Sequence, residues 1–115
     1  VVKFPYGFDP NIQEKYGSWE NVIATVMAKI EQQNFDIALL GCGGYSLLLG
    51  AKIKKMGKSA IHLGGATQIL FGIRGSRWED KPWFIENLND YWTYPLAGDK
   101  PQEKAMENRD NACYW

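Results

Sequence analysis

Phe35-Asp36-Ile37-Ala38-Leu39-Leu40-Gly41-Cys42-Gly43-Gly44 runs an apolar, strand-like stretch straight into glycines, and a helical pattern opens at Tyr45 and continues to Met56. That order is how α/β folds build a ligand site. The first N–H groups of the helix have no partner within it, its positive dipole end faces the loop, and the missing side chains let an anion approach the backbone. The device recurs downstream. Ser59-Ala60-Ile61-His62-Leu63 reads as a second short strand, and Gly64-Gly65 leads into Ala66-Thr67-Gln68-Ile69-Leu70-Phe71. Two strand–glycine–helix units in one parallel sheet open at the same edge, because each crossover returns its strand in the same direction. Residues 36–42 and 59–63 are therefore expected as adjacent parallel strands, with Leu39 and Leu40 in the core. The plainer reading of the glycines is tight turns and close helix–sheet packing.

Working outward, residues 1–17 form an aromatic leading segment with Pro and Gly and weak order signals, expected as a loop. Ser18 caps a helix whose Val22, Ile23, Val26, Met27 and Ile30 recur at spacings of three and four, giving one buried stripe. The helix after the first glycines sets Leu47, Leu48, Leu49, Ala51, Ile53 and Met56 against a solvated face of Lys52, Lys54 and Lys55, and Gly57 ends it. A last helix opened by Asp80 and Pro82 is expected to place Phe84, Leu88, Tyr91 and Trp92 on one side. Residues 93–115 are polar and irregular but end in Cys113-Tyr114-Trp115, the mark of a docked tail.

The 13 basic and 13 acidic residues cancel, which removes the electrostatic case for nucleic acid or an anionic membrane. No apolar run approaches the roughly 20 residues of a membrane span, and a cytoplasmic location is expected. Cys42 and Cys113 make neither a metal motif nor a disulfide scaffold, and Cys42 reads as a small turn residue. The expected fold class is α/β, a Rossmann-like three-layer αβα domain over residues 1–115 with a small, mainly parallel sheet. A start at Val1 and two visible strands, where an open sheet usually has about five, are expected of an incomplete domain or the carboxyl part of a longer protein.

The candidate ligand-binding residues follow from the turns and the loop after them. Backbone N–H groups at Gly43, Gly44, Tyr45, Gly64, Gly65 and Thr67 suit a diphosphate, with Gln68 beside them. Arg74 and Arg77 could neutralise it, and Trp78 or Tyr45 could stack on a base or sugar. Against that, each arginine could pair with Glu79 or Asp80, and the tryptophans could seal the core edge. His62, the one histidine, is placed for ligand contact or as a sheet histidine bonded to a backbone carbonyl. No metal site, cofactor or catalytic residue is identified, and the aromatic loop or tail offers a surface for a homo-oligomer.

The stretches 36–45 and 58–68, with Tyr16-Gly17-Ser18-Trp19, Leu70-Phe71-Gly72-Ile73 and the Cys-Tyr-Trp ending, resemble a group of bacterial proteins of surface-polysaccharide gene clusters. More loosely, the chain is similar to the carboxyl half of GT-D-type glycosyltransferases. The resemblance implies a Rossmann-like half-sheet contributing to a nucleotide-sugar site. It also implies that catalysis is not this chain's alone, since the acidic motif of those enzymes precedes the matching region and has no counterpart here. The expected function is a nucleotide-sugar or phosphate-ligand-binding domain of a glycosyltransferase-like protein. A noncatalytic α/β interaction module is one alternative. An S-adenosylmethionine or dinucleotide domain is another, weakened because His62 stands where an acidic ribose ligand is expected.

Overall fold

The computed structural model describes residues 1–5 and 11–99; the Cys113-Tyr114-Trp115 ending lies outside them. The chain divides into two compact units, Val1–Thr67 and Gln68–Trp115.

In the first unit, α1 (Ile12–Tyr16) and α2 (Trp19–Glu31) precede the strand–helix–strand β1 (Ile37–Leu40), α3 (Tyr45–Lys55) and β2 (Ser59–His62), and α4 starts at Ala66. The leading segment thus contains a helical turn that its weak signals did not announce. Gly17, at φ 73, ends that turn, and Ser18 begins α2 by accepting the Asn21 N–H at 3.4 Å. The five residues of the apolar stripe of α2 are all buried, as their spacing requires. β1 and β2 are parallel and in register, Ile37 opposite Ser59 and Leu40 opposite His62. Gly57, at φ 78, stops α3 between them.

The core is one-sided. Ile23, Val26, Met27 and Ile30 of α2 and Leu49 and Ile53 of α3 gather on Leu40, with Ala38 and Ala60 against the same cluster. Gly50 marks where α3 meets the sheet: a Cβ there would make ordinary van der Waals contact with Leu40 Cδ1 at 3.7 Å and Ala60 Cβ at 3.8 Å. Side chains alternate across a strand. The neighbours of Ala38 and Leu40 therefore face away, and Ile37, Leu39 and Ile61 are all exposed. Leu39, at 41% exposure, does not belong to the core as its sequence context suggested; Leu40, at 8%, does. The described helices of this unit that pack on the sheet lie on one of its faces. On α3 only Ser46, Leu49 and Ile53 are buried, while Leu47, Leu48 and Met56 are exposed. The broad apolar composition of that helix overstated its buried stripe.

The described residues of the second unit hold short elements: α4 runs on to Leu70, α5 spans Pro82–Glu86, and a 3-10 turn spans Ala97–Asp99. Gly72, at φ 66, brings Ile73 beside Thr93, where Thr93 N–H donates to Gly72 C=O at 3.0 Å and Arg74 N–H to Thr93 C=O at 2.7 Å. Phe84 is fully buried, edge-on to Trp92 at 5.1 Å and to Trp83 at 6.0 Å. The last helix is shorter than its apolar spacing predicts. It starts after Lys81 rather than Asp80 and ends at Glu86, so Tyr91 points to solvent instead of joining Phe84. Pro82 supplies a start, but beyond Asn87 the chain makes a separate turn, with Trp92 N–H donating to Asn89 C=O at 3.1 Å, rather than continuing the helix. No described helix is long and apolar enough to cross a membrane.

Candidate functional site

The parallel register puts the two glycine turns side by side at the carboxyl edge of β1 and β2, within the first unit. The first turn is shaped by three contacts. Gly41 is pressed against Thr67: a Cβ on Gly41 would lie 2.7 Å from Thr67 Oγ1 and 2.9 Å from Thr67 Cβ. Cys42 N–H donates to Ser46 Oγ at 3.2 Å, and the Cys42 thiol lies 3.2 Å from the same oxygen. Gly43 takes φ 57, the left-handed region, and its carbonyl accepts the Ser46 N–H at 3.0 Å. Ser46 is 1% exposed, so its hydroxyl works inside the turn and not on a ligand.

α3 consequently begins uncapped. Gly44 precedes it with φ −59 and ψ −26 and offers no side chain. Among the described residues, the N–H groups of Gly43, Gly44 and Tyr45 have no acceptor, and Gly43 and Gly44 are exposed. Uncapped N–H groups at the positive end of an 11-residue helix attract an anion. Tyr45 itself is half-buried, with its ring 5.0 Å from that of Phe4.

The second turn is different. Gly64 again has φ 55, but Ala66 N–H donates to Leu63 C=O at 3.1 Å and Thr67 N–H to Gly64 C=O at 3.2 Å. Two of the first donors of α4 are thereby satisfied, leaving Gly64 and Gly65 as the candidates with open N–H groups. Thr67 Oγ1 is buried against Gly41 without a hydrogen-bond partner. His62 is exposed and makes no side-chain hydrogen bond among the described residues, so the backbone-bonded sheet role is not the one it takes. Its ring lies beside Gly64 instead, with Cε1 3.7 Å from the place of a Gly64 Cβ.

A concavity of about 360 Å³ adjoins the start of α3, bordered by Ile12, Gln13, Ser18, Trp19 and Tyr45 among others. Its α1 wall has no signature in the sequence, because five residues of helix are too few for a periodic pattern to register.

The remaining candidates, Gln68, Arg74, Arg77 and Trp78, lie in the second unit. Arg74 Nη2 donates to Glu79 Oε1 at 3.0 Å, and its guanidinium lies 4.5 Å from the Tyr94 ring centre. Tyr94 O–H donates to the same Glu79 oxygen at 2.7 Å, and that bond to a carboxylate holds the phenol's pKa above its ordinary value. Gln68 Nε2 donates to Arg74 C=O at 2.7 Å. Arg77 lies over the Trp78 ring, and Trp78 meets Trp83 edge-on at 5.9 Å. The Arg74–Glu79 ion pair that the loop composition allowed is thus present.

Among the described residues, no group of three or more His, Cys, Asp or Glu side chains is placed to hold a metal ion. Among the described residues, the turns present backbone N–H donors and no paired side-chain acid and base. Comparison with protein-family models, curated proteins and solved structures finds no match.

The contact between Gly41 and Thr67 gives a direct test of the turn. Gly41→Ala should destabilise the first unit by about 1–3 kcal/mol, because the new methyl meets the Thr67 Cβ, which no side-chain rotation moves. In a Thr67→Gly background the same change should cost far less. Equal denaturation midpoint shifts in the two backgrounds would show that the contact does not limit residue 41.

Proposed function

We propose that the chain is a nucleotide-sugar or phosphate-ligand-binding domain of a glycosyltransferase-like protein, in which the ligand's phosphate oxygens accept from the uncapped N–H groups of Gly43, Gly44 and Tyr45. The observation that carries this reading is the open amino end of α3 at the carboxyl edge of the sheet. Gly64 and Gly65 supply a second set of exchangeable donors from the adjacent turn, and His62 flanks it. The resemblance to the carboxyl half of GT-D-type enzymes supports the same class of ligand. On this reading a further layer, completing a Rossmann-like αβα arrangement, covers Ile37, Leu39 and Ile61.

Gly44 provides the test. Its φ of −59 is open to any residue, and nothing lies within 4 Å of an added Cβ. Gly44→Val should therefore fold, yet place its side chain where the phosphate would sit. A thermal-shift panel of nucleotide sugars, nucleotides and S-adenosylmethionine on the parent chain should identify a ligand, with about 2.7 kcal/mol of stabilisation at 100 times its dissociation constant. Calorimetry on folded Gly44→Val should then show at least a tenfold loss, about 1.4 kcal/mol. Undiminished affinity would remove the site. The exposed Ile37, Leu39 and Ile61 favour a second reading, a noncatalytic interaction module. Failure of every phosphorylated ligand to stabilise the parent would select it.

A further inference from the structure

The corner between α1 and α2 is held by its own hydrogen bonds. Gly17 N–H donates to Gln13 C=O at 2.8 Å and Gln13 Nε2 returns a bond to Gly17 C=O, while Asn21 Nδ2 donates to Tyr16 C=O at 2.7 Å and Ser18 Oγ accepts the Asn21 N–H. This fixes the start of α2, and with it Trp19. Yet Trp19 is 51% exposed, and no hydrogen bond, second ring or cation meets its side chain among the described residues. A large flat ring left half in water on a corner this well bonded is a contact face that the fold does not use.

That ring borders the concavity of about 360 Å³ beside the start of α3. Buried Val22 and half-buried Ile12 and Tyr45 line it, and the exposed Gln13 and Trp19 stand where a ligand enters. Its volume lies at the low end of small-molecule sites, about 300–1,000 Å³, which suits one small ring system and not a chain of sugars. The polar groups narrow the class further. Gln13 Nε2 and the Ser18 lone pair are spent on the corner, which leaves the Gln13 Oε1 acceptor and the Ser18 hydroxyl proton. A sugar ring carries hydroxyls around its rim and needs a partner for each, whereas a heterocyclic base has two flat faces and confines its donors and acceptors to an edge. Tyr45 connects the two places. Its N–H is one of the uncapped donors of α3, it borders the concavity, and its ring is backed by Phe4 at 5.0 Å.

We propose that this concavity receives the heterocyclic base of a nucleotide, with Trp19 as the stacking face and Gln13 and Ser18 meeting the edge of the ring. That the same ligand continues into phosphates at Gly43, Gly44 and Tyr45 rests on the function proposed above. The ligand class thereby narrows from any phosphorylated compound to one that carries a base.

Nuclear magnetic resonance on the full chain labelled with nitrogen-15 separates the base from the phosphates. The Trp19 indole N–H is assigned by its loss in Trp19→Phe, and the probes are adenosine, uridine, their 5′-diphosphates and inorganic diphosphate. One of the two nucleosides should move the Trp19 indole and the Tyr45 amide along a single saturating curve, and its 5′-diphosphate should bind at least tenfold more tightly. Trp19→Ala should weaken that nucleoside diphosphate at least tenfold, the scale of base stacking on an aromatic ring, and leave inorganic diphosphate binding unchanged. Trp19→Phe keeps a ring face and should recover most of the loss. A Trp19 indole unmoved by both nucleosides, or a Trp19→Ala variant that binds as the parent does, overturns the base site. Binding of inorganic diphosphate without any nucleoside response would overturn it too, while leaving the phosphate reading intact. A nucleoside response at Trp19 with no gain from the phosphates would support the base site and count against the phosphate reading alone.

Discussion

Phe84→Ala should remove about 3–5 kcal/mol of stability, the largest effect expected of any single substitution in this chain. Phe84 is fully buried, and its ring is the one on which Trp83 and Trp92 both converge. Among its described residues the second unit has short helices and one isolated bridge between Ile73 and Thr93, so few of their backbone hydrogen bonds would survive to hold the cavity open. Near-ultraviolet circular dichroism should lose its tryptophan fine structure, and the denaturant midpoint read from tryptophan fluorescence should fall sharply. Phe84→Leu keeps much of the volume and should retain more than half of the lost stability. A midpoint unchanged in Phe84→Ala would show that the aromatic cluster does not organise this unit.

The second large effect is a contrast between neighbours. Leu40→Ala should cost about 2–5 kcal/mol, because Leu40 is where both α2 and α3 meet the sheet. Leu39→Ala should cost about 1 kcal/mol or less, since Leu39 shares the exposed face with Ile37 and Ile61. Urea denaturation of the two variants followed by far-ultraviolet circular dichroism measures the difference directly. Equal losses would place Leu39 under a covering layer in solution and would favour the three-layer arrangement. Equal and negligible losses would mean that β1 is misplaced.

The sheet shows where reading the chain succeeds. The apolar run before Gly41, the glycines, the amphipathic segment and the second apolar run locate two parallel strands and the helix between them, because strand, turn and helix each have a local chemical signature. The same run could not say which leucine faces inward. A stretch of consecutive Ile, Ala and Leu is what a strand buried on both faces looks like. Only the one-sided placement of α2 and α3 separates Leu40 from Leu39. Likewise, the spacing of Val22, Ile23, Val26, Met27 and Ile30 is a complete description of the buried stripe of α2, whereas the leucine-rich α3 buries fewer residues than its composition offers.

The candidate site divides in the same way. Gly43, Gly44 and Tyr45 are legible because glycines before a helix are a local pattern. The physical distinction among the glycines is not. Gly43 is needed for its left-handed backbone, Gly44 leaves the helix uncapped, and Gly41 makes room for Thr67, a residue 26 positions away in the chain. The capture of Cys42 N–H by the buried Ser46 hydroxyl was hidden for a related reason, since a serine at that position could equally have faced a ligand. In the loop, composition alone offered Arg74 either to an anion or to Glu79, and the geometry pairs one of its nitrogens with Glu79 while leaving another buried and unmet.

The sequence by itself determined the parallel strand–helix–strand order, the buried stripe of α2 and the position of both glycine turns, because each rests on residues within a few positions of one another. Tertiary structure alone decided that α2 and α3 pack on the Leu40 face of the sheet, that Thr67 closes on Gly41, that α5 stops short of Tyr91 and that the Trp78 indole N–H is buried. Those outcomes depend on which distant surfaces meet, and hydrophobic pattern and charge are nearly silent about that choice.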